Sequence, residues 1–535
     1  MLPVAPHPEA PAEPAVAVIA PACVQQRVLS ATLRGVDALA VEVEVDLGAG
    51  LPSVTLVGLA EAAVRESRLR VQAAIAACGL EFPVVRITVN LAPAHVRKDG
   101  TGFDLPIALA ILAASGALPA RALNDVMVLG ELSLAGDVRP VRGVIAAAEA
   151  ARAAGRRTVL VAAENAPEAA LVRGVEVRAV RSLADALAFL GAGQEERAPR
   201  VCDGEVARPR PTDPDLADVK GQGSARRALE VAAAGGHNLL FYGGPGAGKT
   251  MLARRLPGVL PGLTHGEALE VTRVHSVAGL NIGGGLVTRR PFRAPHHSTT
   301  PPGLAGGGQP LRPGELSLAH HGVLFLDELP EFARATLEVL REPLESGEVV
   351  LSRAAGTLRY PARCLLVASM NPCPCGHLGS ARCRCLAADV RRYQGRVSGP
   401  LLDRIDLHAF VPPVDFGALD DASPGEPSAA VALRVARARE RQQERGAHNA
   451  RLSQALLEEV GRPDAEGRRL LIRAVERLGL SARGWDRVRR VARTIADLEG
   501  AVEVSAPHVA EALQYRSSVD APDAAPRDAA RHRWL

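Results

Sequence analysis

Apolar positions along the chain repeat with two different periods, and they sort it into strands and helices. Strict alternation over 41–47 (VEVEVDL) predicts a half-buried strand. Helical spacing of apolar residues runs over 61–77. A strand is expected at 84–90 and an almost wholly apolar, buried helix at 103–112. Further strands are expected at 126–134 and 158–162, and helices at 144–154 and 183–190, an α+β or α/β pattern. Beyond residue 215 the pattern changes. A helix at 225–234 leads to short, continuously apolar runs at 238–242, 323–326 and 364–370. Such runs are what strands buried on both faces of a parallel sheet look like. The last third reads as helices at 431–445, 468–478, 482–498 and 506–516.

Between these stretches periodicity disappears. Residues 1–25 are Pro/Ala-rich and read as a flexible extension, and 191–215 (GAGQEERAPRVCDGEVARPRPTDPD) reads as a linker. A second linker is expected at 416–430, and a disordered tail at 519–535. The expected units are therefore 26–190, 216–415 and 431–518, in line with the three or so domains that 535 residues suggest.

Composition narrows the class. No apolar run approaches the roughly 20 residues that cross a bilayer, and the N-terminus has no basic segment before an apolar one. A cytoplasmic protein is expected. Net charge is only +4, so there is no global nucleic-acid footprint. Lys98, Lys220 and Lys249 are the only lysines among 63 basic residues. Isolated arginines therefore carry little information, whereas a retained lysine does, because ammonium and guanidinium are not interchangeable at a phosphate site.

That lysine stands in Asn238–Thr250, NLLFYGGPGAGKT. An apolar run ends in Gly243, Gly244, Pro245, Gly246, Ala247, Gly248, Lys249 and Thr250, the full GxxxxGK[ST] pattern. Glycines let backbone N–H groups approach phosphate, and the following helix N-terminus favours anionic charge. Lys249 would reach the β- and γ-phosphates of ATP, and the Thr250 hydroxyl would ligate Mg²⁺. About 75 residues on, the apolar strand 323–326 ends in Asp327 and Glu328. Asp327 is expected to hold Mg²⁺ and Glu328 to polarise the attacking water.

Several further stretches resemble AAA+ ATPases. Asp218-Val219-Lys220-Gly221-Gln222-Gly223 is similar to the segment that lies against adenine, with backbone groups near Val219 and Gly221 as the base contacts. Asn371, after the strand 364–370, matches the sensor 1 position. Arg404, in Leu401-Leu402-Asp403-Arg404, matches an arginine finger supplied by a neighbouring subunit, which implies a ring. Arg483, in Leu480-Ser481-Ala482-Arg483-Gly484, resembles a sensor 2 arginine that would reach phosphate in cis or in trans.

The first unit has its own resemblance. Residues 97–102 (RKDGTG) before an apolar helix, then 136–144 (GDVRPVRGV), look like the proteolytic domain of Lon-type proteases. That family uses a Ser–Lys dyad. Gly102 and Ala147 stand at the matching positions, and neither can be a nucleophile or a base, so protease activity is not expected. Over 26–518, the stretches RRPFRAPHHSTT (289–300), PGELSLAHHGVLFLDELPEF (313–332), SMNPCPCG (369–376) and SGPLLDRIDLH (398–408) resemble the ComM/YifB family of magnesium-chelatase-like AAA+ proteins. The implied fold is an α/β P-loop AAA+ parallel-sheet core with a C-terminal helical lid, preceded by a Lon-protease-like α+β domain. The implied activity is that of a hexameric ATPase that drives branch migration of DNA during recombination of transforming DNA. An ATPase subunit of a metal-insertion complex and a protein-remodelling ATPase stay open as alternatives.

Three further groups of residues carry candidate chemistry. Arg289, Arg290 and Arg293 lie in a Gly/Arg/His-rich insertion around 275–309, and Arg353 lies near the tip of a hairpin expected from 348–351 and 357–360. In a ring such loops can follow a phosphate backbone, so these four are the DNA-contact candidates. Cys373, Cys375, Cys383 and Cys385 fall within 13 residues as CxC, seven residues, CxC. They could hold a structural Zn²⁺, or be a loop of reduced thiols. The pairs His296-His297 and His320-His321 are not expected to form metal sites, because neighbouring side chains diverge on regular elements.

Overall fold

The computed structural model describes residues 24–191, 214–280, 284–308, 311–353, 356–413 and 425–516. The expected disordered tail, nearly all of the N-terminal extension and most of both linkers lie outside these. Two expectations shift at the edges: a strand already begins at Val24, and the first C-terminal helix begins at Ser428.

The N-terminal sheet has seven strands: β1 Val24–Arg34, β2 Asp37–Gly48, β3 Ser53–Val57, β4 Arg86–Ala92, β5 Val126–Val128, β6 Thr158–Ala162 and β7 Glu176–Val180. Their order is β3-β4-β2-β1-β5-β6-β7. β2 runs antiparallel to both neighbours, and the other pairs are parallel. Alternation in β2 puts Val41, Val43, Val45 and Leu47 on one buried face. Against the sheet lies α2 Asp104–Ala114, on which α1 Ala62–Ala77 packs, and α3 Val144–Ala153 packs on β1 and β2. Every residue of α2 is buried, as an all-apolar helix requires. Its one charge, Asp104, is held by Arg70 of α1 at 2.6 and 3.0 Å and by the Leu132 amide at 3.2 Å. The expected strand 126–134 is broken into Val126–Val128 and Glu131–Leu132.

The second sheet has five parallel strands: β8 Leu239–Tyr242, β9 Phe292–Arg293, β10 Val323–Leu326, β13 Leu365–Met370 and β14 Leu407–Phe410, in the order β9-β10-β13-β8-β14. β10 and β13 are buried at every position. The intervening hairpin, β11 Glu348–Arg353 and β12 Gly356–Pro361, pairs Leu351 with Leu358 and brings Arg353 opposite Gly356. A helix not foreseen, α5 His265–Ala278, follows the phosphate loop. Its Thr264 and Glu267 form a reciprocal cap, a TxxE signal that was readable in the sequence.

The C-terminal part is helical: α6 Ser428–Glu444, α7 Gln454–Val460, α8 Ala465–Leu478, α9 Ala482–Glu499 and α10 Ala506–Gln514. α6 and α9 pack on α4 Gly223–Gly235, and their buried residues join those of the five-stranded sheet in one core. The mixed α/β class with a parallel sheet and a helical C-terminal region is as expected. The two sheet regions also meet, through their helices. Arg273 of α5 bonds Glu149 of α3 at 2.7 Å, and the Ser276 hydroxyl donates to Glu168 beside the start of α3. None of the helices described is long and apolar enough to cross a membrane.

Candidate nucleotide site

Register in the five-stranded sheet decides which side chains meet at its C-terminal edge. β8 and β13 align Tyr242 with Met370, and the Gly243 amide donates to the Met370 carbonyl at 3.3 Å. Asn371 therefore stands level with the start of the phosphate loop. β10 and β13 align Leu326 with Ala368, which puts Ser369 beside Asp327. Ligands of parallel sheets sit beyond this edge.

The loop conformation needs its glycines. A Cβ at Gly243 would meet the Val411 carbonyl oxygen at 2.2 Å, and Gly248 sits at φ +93° as the cap before Lys249. The helical stretch that follows, Lys249–Ala253, is short and passes into a 3₁₀ turn at Leu256–Val259.

Lys249 folds back over the loop. Its Nζ donates to the Gly243 and Gly244 carbonyls at 2.7 and 2.8 Å and to Asn371 Oδ1 at 3.0 Å. Burial, opposed by the charges of Asp327 and Glu328, holds its pKa below the ordinary lysine value. The Thr250 hydroxyl donates to Asp327 Oδ2 at 2.8 Å. Ser369, which the sequence reading did not single out, donates its hydroxyl to Asp327 Oδ1 and accepts from the Glu328 amide at 3.3 Å. The Asp327 carboxylate is thus fixed on both oxygens. Glu328 adopts φ +53°, its carboxylate is more than half exposed, and His297 Nδ1 lies 3.9 Å away. Residues Lys249, Thr250, Asp327, Asn371 and Glu328, far apart in sequence, occupy one edge. A hydroxyl and a carboxylate in hydrogen-bond contact, with a lysine anchored on loop carbonyls beside them, form a donor set that fits a phosphate–Mg²⁺ pair.

Other expected contacts are placed differently. Val219 is fully buried and its amide donates to the Leu216 carbonyl, while Gly221 takes φ +65°. Gln222 of the same segment, to which the sequence reading gave no role, ties it to the loop by donating to the Ala247 carbonyl at 3.3 Å and the Pro412 carbonyl at 2.8 Å. The Arg404 guanidinium is engaged inside its own protomer, with the Arg341 and Pro400 carbonyls and Glu345 at 2.7–2.8 Å. Arg483 is exposed in the first turn of α9 and makes none of the contacts described around Lys249.

Two of the four DNA-contact candidates are engaged within the chain. Arg290 spends its donors on the Pro261, Gly262 and His321 carbonyls and on Glu267. Arg293 lies in edge strand β9 and is gripped by both oxygens of Glu315 at 2.6 and 2.8 Å. Neither presents an unpaired charge to a phosphate backbone. Arg289 is exposed. Arg353 is placed only through its backbone, at the closed end of the β11–β12 hairpin, where it pairs with Gly356.

The histidine expectation also changes. In both pairs the rings lie side by side, tilted, with centroids 4.0 Å apart, because neither pair lies on a regular element and His321 takes φ +54°. His320 and His321 converge on Glu270 Oε2 at 3.0 and 2.8 Å, an arrangement that hydrogen bonding accounts for. The four sulfurs of Cys373, Cys375, Cys383 and Cys385 lie within 4.8 Å of one another.

Three family models match in succession: "Subunit ChlI of Mg-chelatase" over 43–165, "Magnesium chelatase, subunit ChlI" over 215–419, and "Magnesium chelatase, subunit ChlI C-terminal" over 425–516. The competence protein ComM of Haemophilus influenzae is 46% identical over 497 residues, 92% of this chain and 97% of that protein. The chain belongs to the ComM/YifB family of magnesium-chelatase-like AAA+ proteins. YifB of Escherichia coli is 45% identical over 485 residues, 90% of this chain and 95% of YifB. The magnesium-chelatase 38 kDa subunit of Rhodobacter capsulatus is 29% identical over 186 residues, only 31% of this chain. The ComM/YifB likeness thus includes the N-terminal sheet as well as the phosphate-loop sheet. In that N-terminal region Ala147 is buried on α3, and the single lysine, Lys98, donates to the Gly58 and Pro93 carbonyls from the interior. No Ser–Lys dyad stands at positions 102 and 147.

Proposed function

We propose that this protein is an ATP-hydrolysing ring motor that remodels DNA, with branch migration during recombination of transforming DNA as its task. The observation that carries the ATPase part is the junction of Lys249, Thr250, Asp327 and Asn371 at one sheet edge. The DNA part rests on near full-length likeness to a protein named for competence. Lys249 and the loop amides of 243–250 bind the β- and γ-phosphates. Thr250 and Asp327 are the residues that would hold Mg²⁺, which supplies charge neutralisation at the transferred phosphoryl group. Glu328, exposed at the edge, orients the attacking water, and Asn371 holds Lys249 and the γ-phosphate end in register. Arg404 serves as the finger only after leaving Glu345 for a neighbouring protomer, so the hexameric ring completes the site. The thiols of Cys373, Cys375, Cys383 and Cys385 are candidate ligands of a structural Zn²⁺.

A second reading, the ATPase subunit of a metal-insertion complex, is favoured by the family models and by the partial match to the R. capsulatus subunit. One experiment separates them. ATP hydrolysis is measured alone, with forked, Holliday-type and single-stranded DNA, and with a porphyrin–partner complex, for wild type and Glu328→Gln. Stimulation by branched DNA is expected, with turnover falling on the order of 10²-fold or more in the variant while ATP binding persists. Stimulation by the porphyrin complex and not by DNA would replace this reading with the second.

A further inference from the structure

The loop 372–386 poses a packing problem. It sits directly after Asn371, yet no residue from His377 to Leu386 is buried, and Leu378 and Leu386 are 40% and 71% exposed. Apolar contact cannot hold it in one conformation. The structure nevertheless closes it at both ends. After the loop, the helix Ala387–Gln394 returns to its start, where Gln394 Nε2 donates to the Pro372 carbonyl at 3.0 Å and Tyr393 bonds the Asn371 backbone.

What remains in the middle is sulfur. Cys373 Sγ lies 3.4 Å from Cys375 Sγ and 3.9 Å from Cys383 Sγ, and Cys375 and Cys383 are 3.7 Å apart. A Zn–S bond of about 2.3 Å in a tetrahedron gives sulfur–sulfur edges of about 3.8 Å. The backbone amides of His377 and Arg384 are directed at Cys375 Sγ and that of Leu378 at Cys373 Sγ, the kind of support that orients thiolate ligands. The loop also rests on the phosphate loop. Gly376 takes φ +78°, and a Cβ there would meet Pro245 Cδ at 2.5 Å; a Cβ at Gly244 would lie 3.4 Å from the Gly376 carbonyl oxygen.

We infer that Cys373, Cys375, Cys383 and Cys385 bind one Zn²⁺ as four thiolates, and that this ion clamps the 372–386 loop onto Gly244 and Pro245, so that metal occupancy sets nucleotide affinity. Binding releases the thiol protons to solvent and involves no change of oxidation state. The ion stands outside the reaction; its action is through Asn371 and the phosphate loop. The clamp rests on the reading of that loop as a nucleotide site.

The test uses the full-length chain purified under reducing, chelator-free conditions. Zinc is counted by elemental analysis, and Co²⁺ replacement is followed through its thiolate charge-transfer and ligand-field bands. A fluorescent ATP analogue reports affinity for wild type, Cys383→Ser/Cys385→Ser, and Cys78→Ser, whose thiol lies elsewhere. About one Zn²⁺ per chain is expected in wild type and Cys78→Ser, and loss of the ion in the double variant. Affinity should weaken on the order of tenfold when the ion is lost. Should the double variant fail to fold, release of zinc from wild type by a mercurial, followed by the same affinity measurement, gives the same comparison. Absence of zinc together with no tetrathiolate Co²⁺ spectrum would overturn the site. Zinc present, with affinity unchanged on its removal, would overturn the clamp. No analogue binding by zinc-loaded wild type would refute the nucleotide reading while leaving the metal site standing.

Discussion

The two sheets of this chain use similar materials to different ends. In the five-stranded sheet, buried apolar strands stop together, and polar residues at and beyond their ends meet across the edge: Lys249 with Asn371, Thr250 with Asp327, Ser369 with Asp327. In the seven-stranded region the polar groups are matched within the packing. Asp104 is closed off by Arg70, and Lys98 by two carbonyls. Convergence of unlike polar groups at a strand edge leaves capacity for a ligand, whereas pairing inside the packing consumes it. The comparison predicts that damage to the first sheet acts on stability and damage to the second on chemistry.

The sharpest break would come at Arg70. Asp104 is fully buried, and burial, countered by Arg70, raises its pKa above the usual carboxylate value. Arg70→Ala strands that group in an apolar helix. A loss of about 3 kcal/mol or more is expected in urea unfolding. Affinity for a fluorescent ATP analogue should survive in the folded fraction, because Arg70 touches nothing at the Lys249 edge. A loss below about 1 kcal/mol would mean that this charge is not carried by the pair.

A somewhat smaller effect is expected where the two regions touch. Glu168 accepts from the Ile145 amide and from Ser276 of α5, and burial, outweighing those bonds, raises its pKa to about 7. Its pKa in the unfolded chain is near the ordinary 4.5. Between these values the folded state holds the proton and the unfolded state does not, so stability falls as pH rises from about 4.5 to about 7, then levels. The shift amounts to at most about 3 kcal/mol. In Glu168→Gln this part of the profile should be flat. The check is the difference between wild-type and variant melting temperatures at pH 5 and pH 7.5. An unchanged difference would remove Glu168 from the contact between the two regions.

Sequence alone carried far in one region because its signal was local. A buried strand, a glycine loop and GKT occupy consecutive residues, and an apolar strand ending in Asp327-Glu328 can be read without knowing its neighbours. Ser369 was not readable, because its role follows from cross-strand register with Leu326, which no spacing encodes. Gln222 escaped for the same reason, since its partners are 25 and 190 residues away. The convergence of His320 and His321 depends on a backbone angle, φ +54°, that the sequence does not show. The helix His265–Ala278 did carry a legible TxxE cap, but its C-terminal end fell in a stretch read as an insertion.

The smallest effect belongs to the arginines that composition made ambiguous. With 60 arginines in the chain, position in an Arg-rich stretch could not separate a phosphate contact from a structural ion pair. Arg293 now belongs with the paired groups: both oxygens of Glu315 grip it, and the two side chains are 34% and 21% exposed. Partial exposure limits the value of such a pair, so Arg293→Ala should cost no more than about 1 kcal/mol in stability. DNA affinity measured across a salt series should keep its slope, since no phosphate contact is lost. A phosphate contact at this position would reduce that slope by about 1. Such a drop would show that DNA draws Arg293 away from Glu315, and the edge strand β9 would then join the chemistry of the five-stranded sheet rather than its packing.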